Sequence, residues 1–286
     1  MACSSIRPHQ FASLNTVFVN ISLIELDYVS PLSSELQRKV LLSLTEGEKD
    51  IAKLTADIGA RNTSILHILE QFGGLDLVTK TRGFYSLSSL GAIEARICHE
   101  YFSAIEVIEK FKGFWLLHDV TGIPADFLSN IGALKDSMII KTEASELKTV
   151  HGKFMEIIQA SKKIKGISPI FHPDFILLFA QLLNQGATIE LIVNSNVLNK
   201  IVSFADIALI KKYLEDDSLQ IFLCEDLKIT LTLTANSFSL GLFFPSGEYD
   251  DNTDLISTST EAIRWGEKLF EVFLKNSRKV GLDKIA

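Results

Sequence analysis

Few residues in this 286-residue chain combine the types and spacings that chemistry needs. His151-Gly152-Lys153 opens like the His-x-Lys motif of phospholipase-D-type phosphodiesterases, in which one histidine attacks phosphorus and another protonates the leaving group. The aspartate that should follow is Ile158 and there is no second copy, so that chemistry is excluded. No Gly-x-Gly-x-x-Gly or Walker-type loop offers a phosphate cradle. None of the six histidines has another at i+4, and His99-Glu100, His118-Asp119 and His172-Pro173-Asp174 are scattered as structural histidines are. Cys3, Cys98 and Cys224 are widely spaced with no Cys-x-x-Cys, which argues for a reducing cytoplasm and against a disulfide framework or zinc site. The expectation is a non-enzyme without cofactor or metal.

Two binding constellations remain. Arg61, Asn62, Thr63, Ser64, His67 and Gln71 would share the outward face and entry of one short helix, and Lys80 and Arg82 would sit on a following hairpin. Hydroxyls, amides and an imidazole on a helix suit base edges and phosphates, and basic residues on a hairpin suit the DNA backbone or minor groove. The second constellation is His172, Tyr249, Asp250, Arg264 and Trp265. His172 follows a predicted strand, where open α/β sheets expose ligand crevices. With Arg264 it would bind a small anionic metabolite between walls from Trp265 and Tyr249. The ordinary alternative is an Arg264–Asp250 ion pair capping the last helix, with Trp265 in the core.

The elements that must position these groups follow from periodicity. Ser30-Pro31 and Ser34-x-x-Gln37 signal a first helix with Leu36, Val40, Leu41 and Leu44 inward. Ile51, Leu54 and Ile58 mark a second helix from Glu48 to Gly59, and Ile65, Ile68, Leu69 and Phe72 a third from Asn62 or Thr63 to Gly73-Gly74. Leu77-Val78 and Phe84-Tyr85 flank Thr79–Gly83 as a hairpin with a basic tip. Three helices, a short Gly59-Ala60-Arg61 turn and a hairpin are the layout of a winged helix-turn-helix. A helix from Leu90 to about Lys112 then carries Leu90, Ile93, Ile97, Tyr101, Ala104, Ile108 and Phe111 at near-heptad spacing, either as a homodimer interface or as a core helix tying domains together.

From Met138 short apolar runs alternate with helical patterns. Met138–Ile140, Gly166–Ile170, Thr188–Val193 and Leu219–Leu223 read as strands; about Lys153–Ile164, Pro173–Gln185 and Val197–Leu214 read as helices. That alternation predicts a three-layer α/β domain with a mostly parallel sheet. Ile229–Thr234 and Ser237–Phe243 add two strands, and Thr258–Arg278 a closing helix. The predicted organisation is a DNA-binding domain over 1–90, a linking or dimerisation segment over 91–136 and a regulatory domain over 137–286.

Charge narrows the partners. The chain carries a formal charge of −7, while residues 1–90 hold 8 Lys and Arg against 9 Asp and Glu. A nearly neutral N-terminal third inside an acidic chain is no general polyanion binder, so contact with double-stranded DNA must come from a local patch multiplied by dimerisation. Ile167–Leu183, the longest apolar stretch, is broken by His172-Pro173-Asp174 and falls short of the ~18 residues a span needs, so no membrane partner is expected. Met1–Asn15 lacks a signal-peptide layout, in keeping with a cytoplasmic location.

Several motifs in fixed order resemble the archaeal Fil-type methanogenesis transcriptional regulators: Phe114–Asp119 with Gly122-Ile123-Pro124, Asp126–Gly132, Gly166–Pro173, Gly241-Leu242-Phe243 leading to Gly247–Asp250, and Ala262–Phe270. The similarity covers roughly residues 25–280. It implies an archaeal cytoplasmic transcription regulator with an N-terminal winged helix and an α/β regulatory domain. The contrasting reading is a non-catalytic protein-interaction module without sequence-specific DNA binding.

Overall fold

The computed structural model describes residues 34–141, 158–159 and 161–285. The Ser30-Pro31 start signal, the His151-Gly152-Lys153 motif and half of the helix expected over Lys153–Ile164 (residues 153–157 and 160) lie outside them. Of the rest, Ile158 and Gln159 are helical, but Lys163 and Ile164 are in a strand, so the expected helix is corrected there. The chain divides into two compact units, Met1–Cys98 and His99–Ala286.

In the first unit α1 (Glu35–Ser43), α2 (Ile51–Ile58) and α3 (Asn62–Gly74) precede a hairpin of β1 (Val78–Thr81) and β2 (Phe84–Leu87). Local chemistry sets three of these boundaries. Ser34 Oγ accepts the Gln37 N–H at 3.1 Å and Asp50 Oδ1 the Lys53 N–H at 2.8 Å, each satisfying an amide left over at a helix start. Gly59 ends α2 in the left-handed conformation at φ 72°. Val40, Leu41, Leu54, Ile65, Phe72 and Leu77 close the core of this unit. The stretch Glu48–Asp50, expected to be helical, is extended: Lys49 exchanges backbone hydrogen bonds with Tyr85, adding a third strand-like edge to the hairpin. The Lys49 side chain is buried and its ammonium donates to Ser43, Glu46 and Asp57, clamping α2 to the turn before it.

The second unit is built on an eight-stranded sheet. Its strands are β3 (Met138–Lys141), β4 (Lys163–Ser168), β5 (Thr188–Val193), β6 (Leu219–Leu223), β7 (Ile229–Leu233), β8 (Phe238–Phe243), β9 (Tyr249–Ser257) and β10 (Arg278–Lys279), in the order β10-β6-β5-β4-β7-β8-β9-β3. Only the β4–β5 and β5–β6 pairs are parallel; the other five pairs are antiparallel. The expected mostly parallel sheet is therefore corrected to a mixed, mainly antiparallel one. The βαβ inference holds for β4 to β6, where α7 (Pro173–Asn184), then α8 (Ser195–Phe204) and α9 (Ile207–Glu215), make the crossovers. It fails from β7 to β9, where short turns join consecutive strands. The single helix expected over Val197–Leu214 is also two, because Asp206 caps a new start by accepting the Ala208 and Leu209 amides.

Alternation along the strands gives the sheet two unlike faces. Ile167, Ile192, Leu231, Leu240 and Leu255 point to one, where α10 (Thr260–Lys275) packs through Trp265, Leu269 and Phe270. Of the segment expected over 91–136 to link or dimerise, which holds α4 (Ser89–Lys110), α5 (Lys112–Leu117) and α6 (Ala125–Ser129), Val107, Phe111, Phe114, Ile131 and Leu134 belong to this same core. On the opposite face β4, β5 and β6 carry Ile164, Leu191 and Ile221 toward α7, α8 and α9, whereas β7, β8 and β9 present Thr230, Thr232, Ser239, Gly241 and Asp254.

Candidate functional site

In the first unit the outward face of α3 carries Thr63, His67 and Gln71 at successive i+4 positions, all exposed, with Asn62 and Arg61 exposed at its start and Ser64 half-buried. Gln71 ties this row together: its amide lies 3.2 Å from His67 Nε2 and its carbonyl accepts from Gln37 of α1 at 3.3 Å. Neither of the two expected starting caps, Asn62 or Thr63, caps the helix: Asn62 accepts the Thr55 hydroxyl of α2 at 2.5 Å, and Arg61 occupies the cap position without a side-chain bond. The hairpin tip is narrower than expected. Thr79, Lys80 and Thr81 are in strand β1, and the turn is the pair Arg82-Gly83, with φ 51° and 90°. Two consecutive positive φ values make a type I′ turn, whose twist matches paired strands. Arg82 thus stands exposed at the tip, and Lys80 lies over the Tyr85 ring at 5.0 Å.

In the second unit a cleft of about 900 Å³ opens on the polar half of the sheet and continues between α7, α8 and α9. Phe171, Phe175, Phe179 and Phe204 form its aromatic wall, with the Phe175 and Phe179 rings stacked at 5.9 Å. Its carboxylates are Asp174, Asp206, Glu248, Asp251 and Asp254, and no Lys or Arg is among the described residues lining it. The polar floor is a row across three strands, where Gly241 pairs with Thr230 on one side and Asp254 on the other. A Cβ at Gly241 would lie 2.6 Å from both Asp254 Oδ1 and the Tyr249 hydroxyl and closer still to Thr230 Oγ1, so only glycine leaves these three groups room to converge.

Asp254 is the unusual member. It is 7% exposed. Its Oδ2 accepts from Ser239 Oγ at 2.9 Å, but its Oδ1 is buried with no hydrogen-bond partner. Burial pushes the carboxyl up to about 6; the nearby Asp250 adds to the rise, and the Ser239 and Tyr249 hydroxyls oppose it. Burial and the charge of Asp254 likewise raise the Tyr249 phenol above its ordinary value, and its hydroxyl pairs with Thr230 Oγ1 at 3.2 Å.

The structure separates the five residues that the sequence had grouped. His172 and Tyr249 line the cleft. Asp250 does not: its Oδ2 lies 3.1 Å from Nε2 of buried His118, whose Nδ1 lies 2.7 Å from the Phe114 carbonyl. Arg264 is exposed on α10, and Trp265 packs edge-on against Phe127 and Phe238 in the core behind the sheet. Neither reaches the cleft, so the Arg264–Asp250 pair does not form and the cation on which an anionic ligand was expected to rest is missing from its walls. Sequence reasoning passed over Asp254, Ser239 and Thr230. A glycine between Leu240 and Leu242 in an apolar strand was the available signal of a close approach there. Among the described residues no group of three His, Cys, Asp or Glu is placed to hold a metal ion, and no helix is long and apolar enough to cross a membrane.

Residues 30–106 match the family model for the N-terminal domain of methanogenesis regulatory protein FilR1, and residues 147–276 match that for its middle domain. The curated methanogenesis regulatory protein FilR1 of Methanothrix harundinacea (strain 6Ac) is 29% identical over 252 residues, which is 87% of this chain and 56% of that protein. The chain therefore spans little more than half the length of this relative. Among solved structures, TrmBL2, an archaeal chromatin protein with a novel mode of DNA binding, aligns at a TM-score of 0.39 and 11% identity over 86% of this chain and 93% of that one. Phosphatidylserine synthase of Haemophilus influenzae Rd KW20 aligns at 0.41 and 13% identity over 52% of this chain and 40% of that one. At such scores neither likeness carries weight.

Proposed function

The chain belongs to the Fil-type methanogenesis regulator family, and from that premise we propose that it is a cytoplasmic, dimeric, DNA-binding transcription regulator with a ligand-sensing second unit. The observation that carries the reading is the first unit's surface. Three helices and a type I′ hairpin form a winged helix-turn-helix in which Thr63, His67 and Gln71 face outward on one helix and Arg82 tips the wing. Such a recognition helix enters the major groove and the wing meets the flanking backbone.

Dimerisation is supported by the helix α4 (Ser89–Lys110). Leu90, Ile93, Ile97, Tyr101 and Ile108 leave one apolar stripe exposed along it, with Ile93 and Ile97 60% and 59% exposed. Ala104 and Phe111, from the same near-heptad pattern, turn inward instead. The occupant this spacing fits is the same stripe of a second copy, since a two-fold pair of recognition helices matches a two-fold operator. Ile97→Glu is expected to give monomers in sedimentation and to weaken operator binding; an unchanged sedimentation coefficient would remove this helix from the interface.

Binding to the duplex upstream of the chain's own gene, against a scrambled duplex over a salt series, tests the whole reading. Cognate affinity should fall steeply with salt because phosphate contacts release counterions. Arg82→Ala is expected to weaken all sequences alike and to reduce the salt slope by about one. His67→Ala is expected to shift base preference, by roughly 1–3 kcal/mol at one base pair. Equal affinity for both duplexes with a flat salt response would leave a protein-interaction module in place of a regulator that binds DNA.

A further inference from the structure

The geometry points to the cleft of the second unit as a binding site for an organic cation, an amine with an apolar body whose ammonium is received by Asp254. This deepens the reading of that unit as the sensing part. Four observations converge on it.

The first is the unpartnered oxygen. Asp254 Oδ1 is a strong acceptor, buried and without a hydrogen bond of normal geometry although the Tyr249 hydroxyl is close by, on a side chain that lines the cleft. Buried acceptors without partners are rare because the lost hydration is uncompensated. An N–H donor arriving from the cleft would satisfy it with a charge-assisted hydrogen bond.

The second is the cradle. Gly241 keeps Thr230 Oγ1, the Tyr249 hydroxyl and Asp254 Oδ1 within reach of one small volume on the sheet. An ammonium has three donors to place, and hydroxyl oxygens and a carboxylate are all acceptors.

The third is sign. Asp174, Asp206, Glu248 and Asp251 share the lining with Asp254, with no Lys or Arg among the described lining residues. A cleft walled by one sign of charge concentrates ligands of the opposite sign and repels those of its own. A carboxylate or phosphate ligand would have to approach an already charged, desolvated aspartate.

The fourth is the wall that the apolar body would meet. Phe171 and Phe204 rings lie 5.2 Å apart and Phe175 stacks on Phe179. Ring faces attract cations and apolar groups alike, and Lys200 already places its ammonium 5.8 Å from the Phe171 centroid. A body of aromatic or branched aliphatic character would fill this end while the ammonium reaches the floor.

Three probes that differ only at the head group separate the possibilities: tryptamine, tryptophol and indole-3-acetate, each titrated into the full chain without DNA by equilibrium dialysis. The expected order is amine tightest, alcohol weaker, carboxylate weakest. Asp254→Asn keeps the shape and removes the charge, and it is expected to cost the amine about tenfold or more, the worth of one charge-assisted hydrogen bond, while leaving the alcohol nearly unchanged. Asp251→Asn alters only an exposed position at the rim, so folding is not in question, and it should weaken the amine by a smaller factor. The inference is overturned if the carboxylate binds as tightly as the amine, if the alcohol matches it, if the amine's preference survives Asp254→Asn, or if none of the three binds. Because no DNA is present, these outcomes are independent of whether the first unit recognises an operator.

Discussion

Asp254→Asn is expected to make the second unit more stable than the parent above about pH 6, by roughly 2–3 kcal/mol, with the advantage fading toward pH 4. The sign follows from linkage. Burial raises the folded carboxyl to about 6, above the value of about 3.9 for a free aspartate in the unfolded chain. Below that lower value both states hold the proton and nothing is at stake. Between the two the unfolded chain is ionised and the folded one is not, so stability falls as pH rises; above the higher value the full penalty is present and constant. Asparagine has no proton to exchange and can still accept the Ser239 hydroxyl, so its curve lacks this fall. Tyr249 and Asp250, the other titrating groups near Asp254, are common to both proteins. The chain's two tryptophans, Trp115 and Trp265, both belong to the second unit, so their fluorescence in denaturant follows this unit alone. Parallel pH curves for parent and variant would show that Asp254 is not held in a desolvated state. A carboxylate that weakens the empty fold and strengthens a cation-bound one is the trade between stability and function expected of a binding group.

Among the described residues of the first unit, the three helices and the hairpin were legible because their signals are local. Apolar residues recur at helical spacing, Ser34 and Asp50 cap, and Gly59 and Gly83 sit where left-handed backbone is required. Lys49 escaped because its partners come from four separate places: Ser43 of α1, Glu46 of the turn after it, Asp57 of α2 and the backbone of Tyr85. In the second unit the apolar strands β5 to β8 were readable, but β9 was not. Its sequence, Tyr-Asp-Asp-Asn-Thr-Asp-Leu-Ile-Ser, is rich in residues that strands disfavour. It is held by β8 on one side and β3 on the other, a tertiary arrangement that overrides local preference. Missing that strand meant missing the face on which Asp254 lies, and so the sign of the cleft. It also made Asp250 look like a loop carboxylate within reach of Arg264. Its true partner, His118, is 132 residues away and carries no local mark.

That buried pair makes the second large effect predictable. Asp250→Ala is expected to destabilise the second unit by about 3–5 kcal/mol, the usual result of stripping one member from a buried histidine–carboxylate pair. His118 Nδ1 faces a backbone carbonyl, which can only accept, so Nδ1 carries a hydrogen; Nε2 faces the Asp250 carboxylate, so a second proton lies between them. The imidazole is enclosed by Phe114 at 4.5 Å and Phe244 stacked at 5.3 Å, neither of which can replace the lost acceptor. Without Asp250 the buried Nε2 of the ring is left with no partner. The pair also fixes a connection: it anchors the end of the helix α5 (Lys112–Leu117) to β9, beside the Asp119 N–H that donates to the Phe243 carbonyl at 2.8 Å. His118→Phe alone strands the carboxylate and should cost a comparable amount. Asp250→Leu alone should strand the imidazole in the same way, whereas Asp250→Leu with His118→Phe removes both polar groups. Apolar replacement of a whole buried pair is often close to neutral, so this double variant should lose far less than the sum of the His118→Phe and Asp250→Leu losses. Additive losses in the tryptophan-monitored unfolding of the four proteins would mean that the two side chains are not coupled. Tryptamine binding by folded Asp250→Ala protein should persist, because Asp250 holds the back of β9 and Asp254 holds the ligand. Loss of binding with the fold intact would return Asp250 to the ligand site.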